Sequence, residues 1–182
     1  MTVTRQSLTP SAFLVDNLHL LPEGRVLDLA MGHGRNAIYL ATQGFEVDGI
    51  ELNSQSVDEA RAAAMELGSP IRAIVADLED GSHILPLDTY DGIVVFNYLH
   101  RPLFPQIRRS LVRGGVIVYQ TYTVEQAAFG KPKNPAHLLE TGELKQLFHD
   151  WEQLAYREFV GPAPWGGQRA IAGIVARKPL AG

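Results

Sequence analysis

The sequence predicts an α/β protein with a Rossmann-like, doubly wound sheet of seven strands, mostly parallel and closed by an antiparallel C-terminal hairpin. Three observations carry this. Apolar runs of strand length alternate with amphipathic helical runs from Arg25 to Thr121. The run Arg25-Val-Leu-Asp-Leu-Ala-Met-Gly-His-Gly-Arg-Asn-Ala-Ile-Tyr-Leu-Ala41 passes from an apolar strand, through a turn holding Gly32 and Gly34, into a helix. The last two strands are joined only by Gly161-Pro-Ala-Pro-Trp-Gly-Gly167, too short for a parallel return, which needs a dozen or more residues.

The elements follow in order. Pro10 and Ser11 open a helix predicted to reach Leu21, where Pro22 and Gly24 stop it. Val26, Leu27 and Leu29 form strand one, and Ala37, Ile38, Leu40 and Ala41 give the next helix its stripe before Gly44. Phe45 to Ile50 reads as strand two. Asn53 or Ser54 caps a helix of strong formers running to Leu67, closed by Gly68. Ile71 to Ala76 is strand three, Asp77–Tyr90 is polar and turn-rich, and Asp91 to Phe96 reads as a strand buried on both faces. Pro102 to Val112 is predicted helical, with Gly114-Gly115 breaking it before strand five, Val116 to Thr121. Val124 to Phe148 holds Pro132, Pro135 and two helix candidates. Trp151–Val160 and Gln168–Arg177 make the hairpin.

At 182 residues and 46% hydrophobic content the chain suits one domain with a substantial core, with residues 1–22 as an N-terminal helical segment. Sixteen basic residues against twenty acidic ones leave a net charge of −4, without the basic footprint that nucleic-acid binding needs. No cysteine is present, which removes disulfides, thiolate metal sites and a cysteine nucleophile. No apolar run has signal-peptide or membrane-spanning length. The expectation is a cytoplasmic monomer or homodimer whose partner is a small molecule, with no nucleic acid, membrane or metal; His19, His33, His83 and His149 lack metal-like spacing with carboxylates.

In an open α/β sheet, ligands bind beyond the carboxyl ends of the strands, where strand order reverses. Asp28 and Gly32 end strand one, Glu51 strand two, Asp77 strand three, and Phe96-Asn97-Tyr98 strand four. Gly32 and Gly34 let backbone approach a ligand, and the new helix aims free N–H groups forward. Glu51 is placed to accept both hydroxyls of a ribose. Asp77 is placed to accept the exocyclic amine of an adenine, with Leu78 covering the ring.

These residues resemble the class I S-adenosylmethionine-dependent methyltransferases, whose first motif is an acidic residue followed by Gly-x-Gly-x-Gly. More narrowly, Gly32-His-Gly-Arg-Asn-Ala-Ile-Tyr-Leu-Ala41 and Thr141-Gly-Glu-Leu-Lys-Gln-Leu-Phe-His-Asp-Trp-Glu152, with Tyr156-Arg-Glu158 and Ala176-Arg-Lys178, are similar to the tellurite-resistance methyltransferase branch. The resemblance implies S-adenosyl-L-methionine as cofactor. It implies a lining of Asp28, Gly32, Gly34, Glu51, Leu52, Asp77 and Leu78, with Phe96 and Asn97 near the methionine end. Ala30 stands where the motif has its first glycine, and Asn36 beside Arg35 at the helix start is a further cofactor candidate.

His100, Arg101 and Tyr122, just past strands four and five, are the candidate catalytic residues on the acceptor side, histidine being the side chain most readily tuned for proton transfer near neutral pH. Phe129-Gly-Lys-Pro-Lys-Asn-Pro-Ala-His137, within 124–148, has the composition of a lid. Arg101, Lys131, Lys133 and Arg169 are candidate anion holders. The implied acceptor is small: a tellurite- or selenite-type oxyanion, or a thiol. Two alternatives stand beside this reading. One is a catalytically silent cofactor-binding regulator; the other is an NAD-dependent oxidoreductase, since Gly32 to Ala37 also satisfies Gly-x-Gly-x-x-Gly/Ala.

Overall fold

Seven strands join one sheet in the order β3-β2-β1-β4-β5-β7-β6 in the computed structural model, which describes residues 8–180. The strands are β1 (Arg25–Leu29), β2 (Glu46–Glu51), β3 (Arg72–Val75), β4 (Tyr90–Phe96), β5 (Leu111–Tyr122), β6 (Glu152–Pro162) and β7 (Gln168–Arg177). β1 to β5 pair in parallel, whereas β7 runs antiparallel to both β5 and β6. The hairpin predicted from the short Gly161–Gly167 connection is therefore present, with β7 inserted next to β5. Strand order reverses between β1 and β4, and that reversal opens the ligand crevice beyond Leu29 and Phe96.

Helices α1 (Ala12–Asn17), α2 (Arg35–Thr42) and α3 (Ser54–Glu66) cover one face. Phe13, Leu14, Ala37, Leu40, Val57 and Ala60 there meet Val26, Val94, Val118 and Val175 from the strands. Helices α4 (Phe104–Ser110) and α5 (Glu143–Leu147) cover the other, burying Leu103, Phe104, Ile107, Leu144 and Phe148 on Leu27, Ile93, Ile117 and Tyr119. The α3 cap is as expected: the Asn53 Oδ1 accepts the Ser56 N–H at 3.0 Å. Among the described residues no helix is long and apolar enough to cross a membrane.

Several boundaries differ from the sequence reading. The first helix is α only to Asn17 and tightens to a 3-10 turn over Leu18–Leu20; the part of the N-terminal segment before residue 8 lies outside the described residues. The helix predicted to reach Val112 stops at Ser110, because Leu111 already pairs with Tyr90. Gly114-Gly115 then falls at a register shift inside β5 instead of between helix and strand. Between Val124 and Phe148 the structure has 3-10 turns at Val124–Ala128 and Pro135–His137, then α5.

Candidate functional site

The turn after β1 builds the floor. Ala30, Gly32 and Gly34 have φ of 53°, 56° and 77°, all left-handed. Gly34 is needed twice over, for its φ and because a Cβ there would stand 2.8 Å from the Ala60 Cβ of α3. A Cβ on Gly32 would meet nothing within 4 Å, so its backbone faces open space. Ala30, in place of the motif glycine, occupies the left-handed region with a methyl group, a strained state for an L-residue. The turn is tied to β2: the Met31 N–H reaches the Ile50 carbonyl at 3.0 Å, and the Gly32 N–H reaches the Glu51 Oε2 at 2.9 Å.

Three hollows follow the strand ends and share walls. An inner cavity of about 290 Å³ is lined by Asp28, Gly32, Arg35, Asn36, Phe96 and Asn97. A cleft of about 340 Å³ joins it at Ala30 and continues past Glu51, Leu52, Asp77 and Leu78. An outer chamber of about 820 Å³ shares Asn97 with the first and Glu79 and Tyr98 with the second. All eleven cofactor candidates except Gly34 line the first two hollows; Gly34 acts behind them, seating α2 on α3.

Asp28 is 1% exposed, and its Oδ2 has no hydrogen-bond partner. Burial pushes its pKa up to about 7, although the Ala37 backbone N–H and the Arg35 charge pull the other way. A buried carboxylate with a free oxygen, beside a glycine whose Cβ position is empty, fits a ligand carrying hydrogen-bond donors and positive charge. Arg35 at the first position of α2 adds positive charge to the positive end of a helix rather than cancelling it, which suits an anionic ligand group nearby. Glu51 accepts the Gly32 and Asn53 N–H groups, one on each oxygen, at 2.9 and 3.0 Å, leaving a further lone pair on each. Asp77 uses Oδ1 to accept the Glu79 N–H at 2.8 Å. Asn36 is partly committed to the fold, its Oδ1 accepting the Ser11 N–H at 2.9 Å.

On the acceptor side Tyr122 lines the outer chamber, and burial raises its pKa against the Arg169 and Arg35 charges, so its hydroxyl stays protonated at neutral pH. His100 does not line any of the three hollows; its Nδ1 stands 3.8 Å from a Glu79 oxygen. Arg101 is committed to the fold: its guanidinium donates to Glu143 at 2.6 and 2.7 Å and to the Ala136 and Leu138 carbonyls at 3.1 and 2.9 Å, so it braces the segment after β5. The lid reading of 124–148 narrows accordingly. Thr123 bridges to Leu139, and Leu139 exchanges backbone bonds with Tyr122 and Val124 at 2.9 Å each, so both ends are clamped. The tip, Lys131 to Asn134, overhangs the chamber with His137. Leu99 and Glu79 also line the chamber and were not singled out in the sequence, whereas Tyr98 was named at the end of strand four; their signal was position, since they follow β4 and β3 at the ligand edge.

The family whose profile matches residues 5–164 is "Tellurite resistance protein TehB". The chain belongs to the TehB family. A Haemophilus influenzae relative, named a probable S-adenosyl-L-methionine-dependent methyltransferase TehB, is 27% identical over 157 residues, covering 81% of this chain and 53% of the relative. The chain thus spans about half the length of that relative. The crystal structure of TehB from Haemophilus influenzae superposes with a TM-score of 0.76 at 22% identity, over 98% of this chain and 63% of that one. A Methanosarcina mazei structure titled as a SAM-dependent methyltransferase gives 0.72 at 19% identity, over 94% and 99%. The fold is that of the class I methyltransferases, and the TehB match sets aside the dinucleotide reading of Gly32 to Ala37.

Proposed function

We propose that this TehB-family chain is an S-adenosylmethionine-dependent methyltransferase acting on a small-molecule acceptor. The observation that carries it is the buried Asp28 carboxylate, with a free oxygen at the floor of a cavity opened by Gly32 at the switch point of the sheet. When bound, the cofactor supplies a methyl group already activated by a positively charged sulfur. Glu51 offers its remaining lone pairs to the ribose hydroxyls, and Asp77 with Leu78 receives the adenine. Arg35 and the start of α2 attract the methionine carboxylate, and Asp28 attracts the ammonium.

Positioning then accounts for much of the catalysis. Asn97, shared by the inner cavity and the outer chamber, marks where donor and acceptor meet. The clamped arm after β5 supplies one wall of the chamber. Lys131 and Lys133 give it a cationic rim, which favours an anionic acceptor: an oxyanion of the tellurite or selenite type, or a thiolate. Such acceptors need no strong base, in keeping with Tyr122 remaining protonated.

Calorimetric titration with S-adenosylhomocysteine is expected to show binding, and the same compound is expected to raise the melting temperature where NAD does not. Absence of binding at millimolar concentration sinks the proposal. Binding without methyl transfer to any oxyanion or thiol favours the catalytically silent alternative.

A further inference from the structure

The outer chamber is far larger than an inorganic oxyanion requires. Its volume of about 820 Å³ lies within the range of about 300–1,000 Å³ that clefts for organic ligands occupy. A tellurite or selenite ion fills on the order of 60 Å³, the share of about two waters. Most of the chamber would then hold solvent, against walls that are poorly suited to it. Tyr98, Leu99, Tyr122 and Pro132 present two aromatic rings, an aliphatic side chain and a proline ring. The charged groups gather elsewhere, with Lys131 and Lys133 on the tip and Glu79 at the wall shared with the adjoining cleft. This separation of apolar wall from cationic tip complements a molecule with an apolar body and a negative end.

The chamber's phenols point to the state of the nucleophile. The Tyr98 hydroxyl is buried beside the Glu79 carboxylate at the boundary with the adenosine-side cleft, with no partner at full hydrogen-bonding geometry. Burial, together with the Glu79 charge, pushes its pKa upward, and burial does the same to Tyr122. Both phenols therefore stay protonated, and neither takes up a proton, at neutral pH. Two protonated phenols in the wall, neither able to act as a base, suit an acceptor that arrives already ionised.

Resting on the methyltransferase reading above, we infer that the preferred acceptor is an organic anion with a ring-sized apolar body and an ionised thiol as nucleophile, not a bare inorganic oxyanion. The thiol's proton leaves to solvent before transfer. The thiolate lone pair then forms the new sulfur–carbon bond, while the methyl–sulfonium bond breaks and its electron pair stays on the donor sulfur. The products are an aryl methyl thioether and neutral-sulfur S-adenosylhomocysteine.

The test compares S-methylation of para-mercaptobenzoate, thiophenol and ringless mercaptoethanesulfonate with methylation of selenite. In parallel, calorimetry measures binding of the unreactive para-methylthiobenzoate to protein saturated with S-adenosylhomocysteine. Burial of the ring is expected to give para-mercaptobenzoate a kcat/KM about tenfold or more above mercaptoethanesulfonate and selenite. Lys131→Met combined with Lys133→Met, on the exposed tip, is expected to raise KM for the doubly charged para-mercaptobenzoate several-fold and that for thiophenol much less. Tyr98→Phe is expected to lower kcat for both aryl thiols with less effect on para-methylthiobenzoate affinity. Selenite as the best acceptor, equal rates with and without the ring, or no binding of para-methylthiobenzoate overturns the inference while leaving the methyltransferase reading standing. Failure of S-adenosylhomocysteine itself to bind removes both.

Discussion

Asp28 is a residue whose charge costs the fold stability. Its pKa of about 7 in the native state, against 3.8 for the ordinary side chain, means that the fold prefers the neutral acid. The native state holds more protons between those values, so this contribution is fully present below pH 3.8 and is lost as pH rises through about 7. The span corresponds to about 4 kcal/mol as an order of magnitude. Asp28→Asn removes the buried charge and is expected to raise the melting temperature of the ligand-free protein at pH 8 while weakening S-adenosylhomocysteine about tenfold or more. A ligand ammonium near the carboxylate favours its ionised form, so binding near pH 7 is expected to release part of a proton. Calorimetry in buffers of different protonation enthalpy measures that release; equal release from the wild type and Asp28→Asn contradicts the assignment. The position of Asp28, Gly32, Glu51 and Asp77 around one crevice was legible in the sequence because each lies at the end of an apolar run, and the sheet brings strand ends together. The pKa shift was not legible, because it depends on burial by elements distant in the chain.

At the scale of elements, the arm between β5 and β6 is held by contacts that local pattern does not reveal. Arg101 read as an acceptor-side residue because it follows β4, yet its partner Glu143 lies 42 positions away. Burial raises the Glu143 pKa, but the Arg101 hydrogen bonds and the Glu140 N–H outweigh it and hold the carboxyl below its ordinary value. The pair therefore contributes stability above the usual carboxylate range, and that contribution is lost as pH falls through the lowered value. Glu158 completes the brace by accepting the Gly142 N–H at 3.0 Å and the Tyr156 hydroxyl. Arg101→Ala is expected to cost about 2 kcal/mol in chemical denaturation. It is also expected to raise KM for the acceptor while S-adenosylhomocysteine affinity, measured at the other end of the site, stays within about twofold. Loss of both affinities together places Arg101 in the binding machinery after all.

Across the whole molecule, the two halves of the sheet are stabilised unequally. α4 and α5 cover the β4–β5–β7 side, but between β3 and β4 the chain runs through residues 76–89 without a helix, as the polar, turn-rich Asp77–Tyr90 stretch foretold. Ile74 on the edge strand is left 38% exposed. A polar knot replaces the missing apolar cover. Asp48 of β2 accepts from Arg25 of β1 at 2.7 Å, from Arg72 of β3 at 2.8 and 2.9 Å, and from the Tyr90 hydroxyl at the start of β4 at 3.0 Å. Four strands are tied through one carboxylate. The sequence marked these residues only as charged or aromatic positions within strands, because convergence on Asp48 exists only after the strands pair. Burial nevertheless raises the Asp48 pKa despite the Tyr90 and Arg25 hydrogen bonds, so the charge itself is costly and the shared acceptor matters more. Asp48→Ala strips every partner at once and is expected to cost about 2–3 kcal/mol, a fall in melting temperature of about 6 °C for a chain of this size. Asp48→Asn keeps one acceptor oxygen and is expected to cost about half as much. Neither is expected to change S-adenosylhomocysteine affinity in calorimetry, because Asp48 lies three residues back from Glu51 and lines none of the three hollows. If Asp48→Asn proves as damaging as Asp48→Ala, the negative charge, and not the shared acceptor, holds this half of the sheet together.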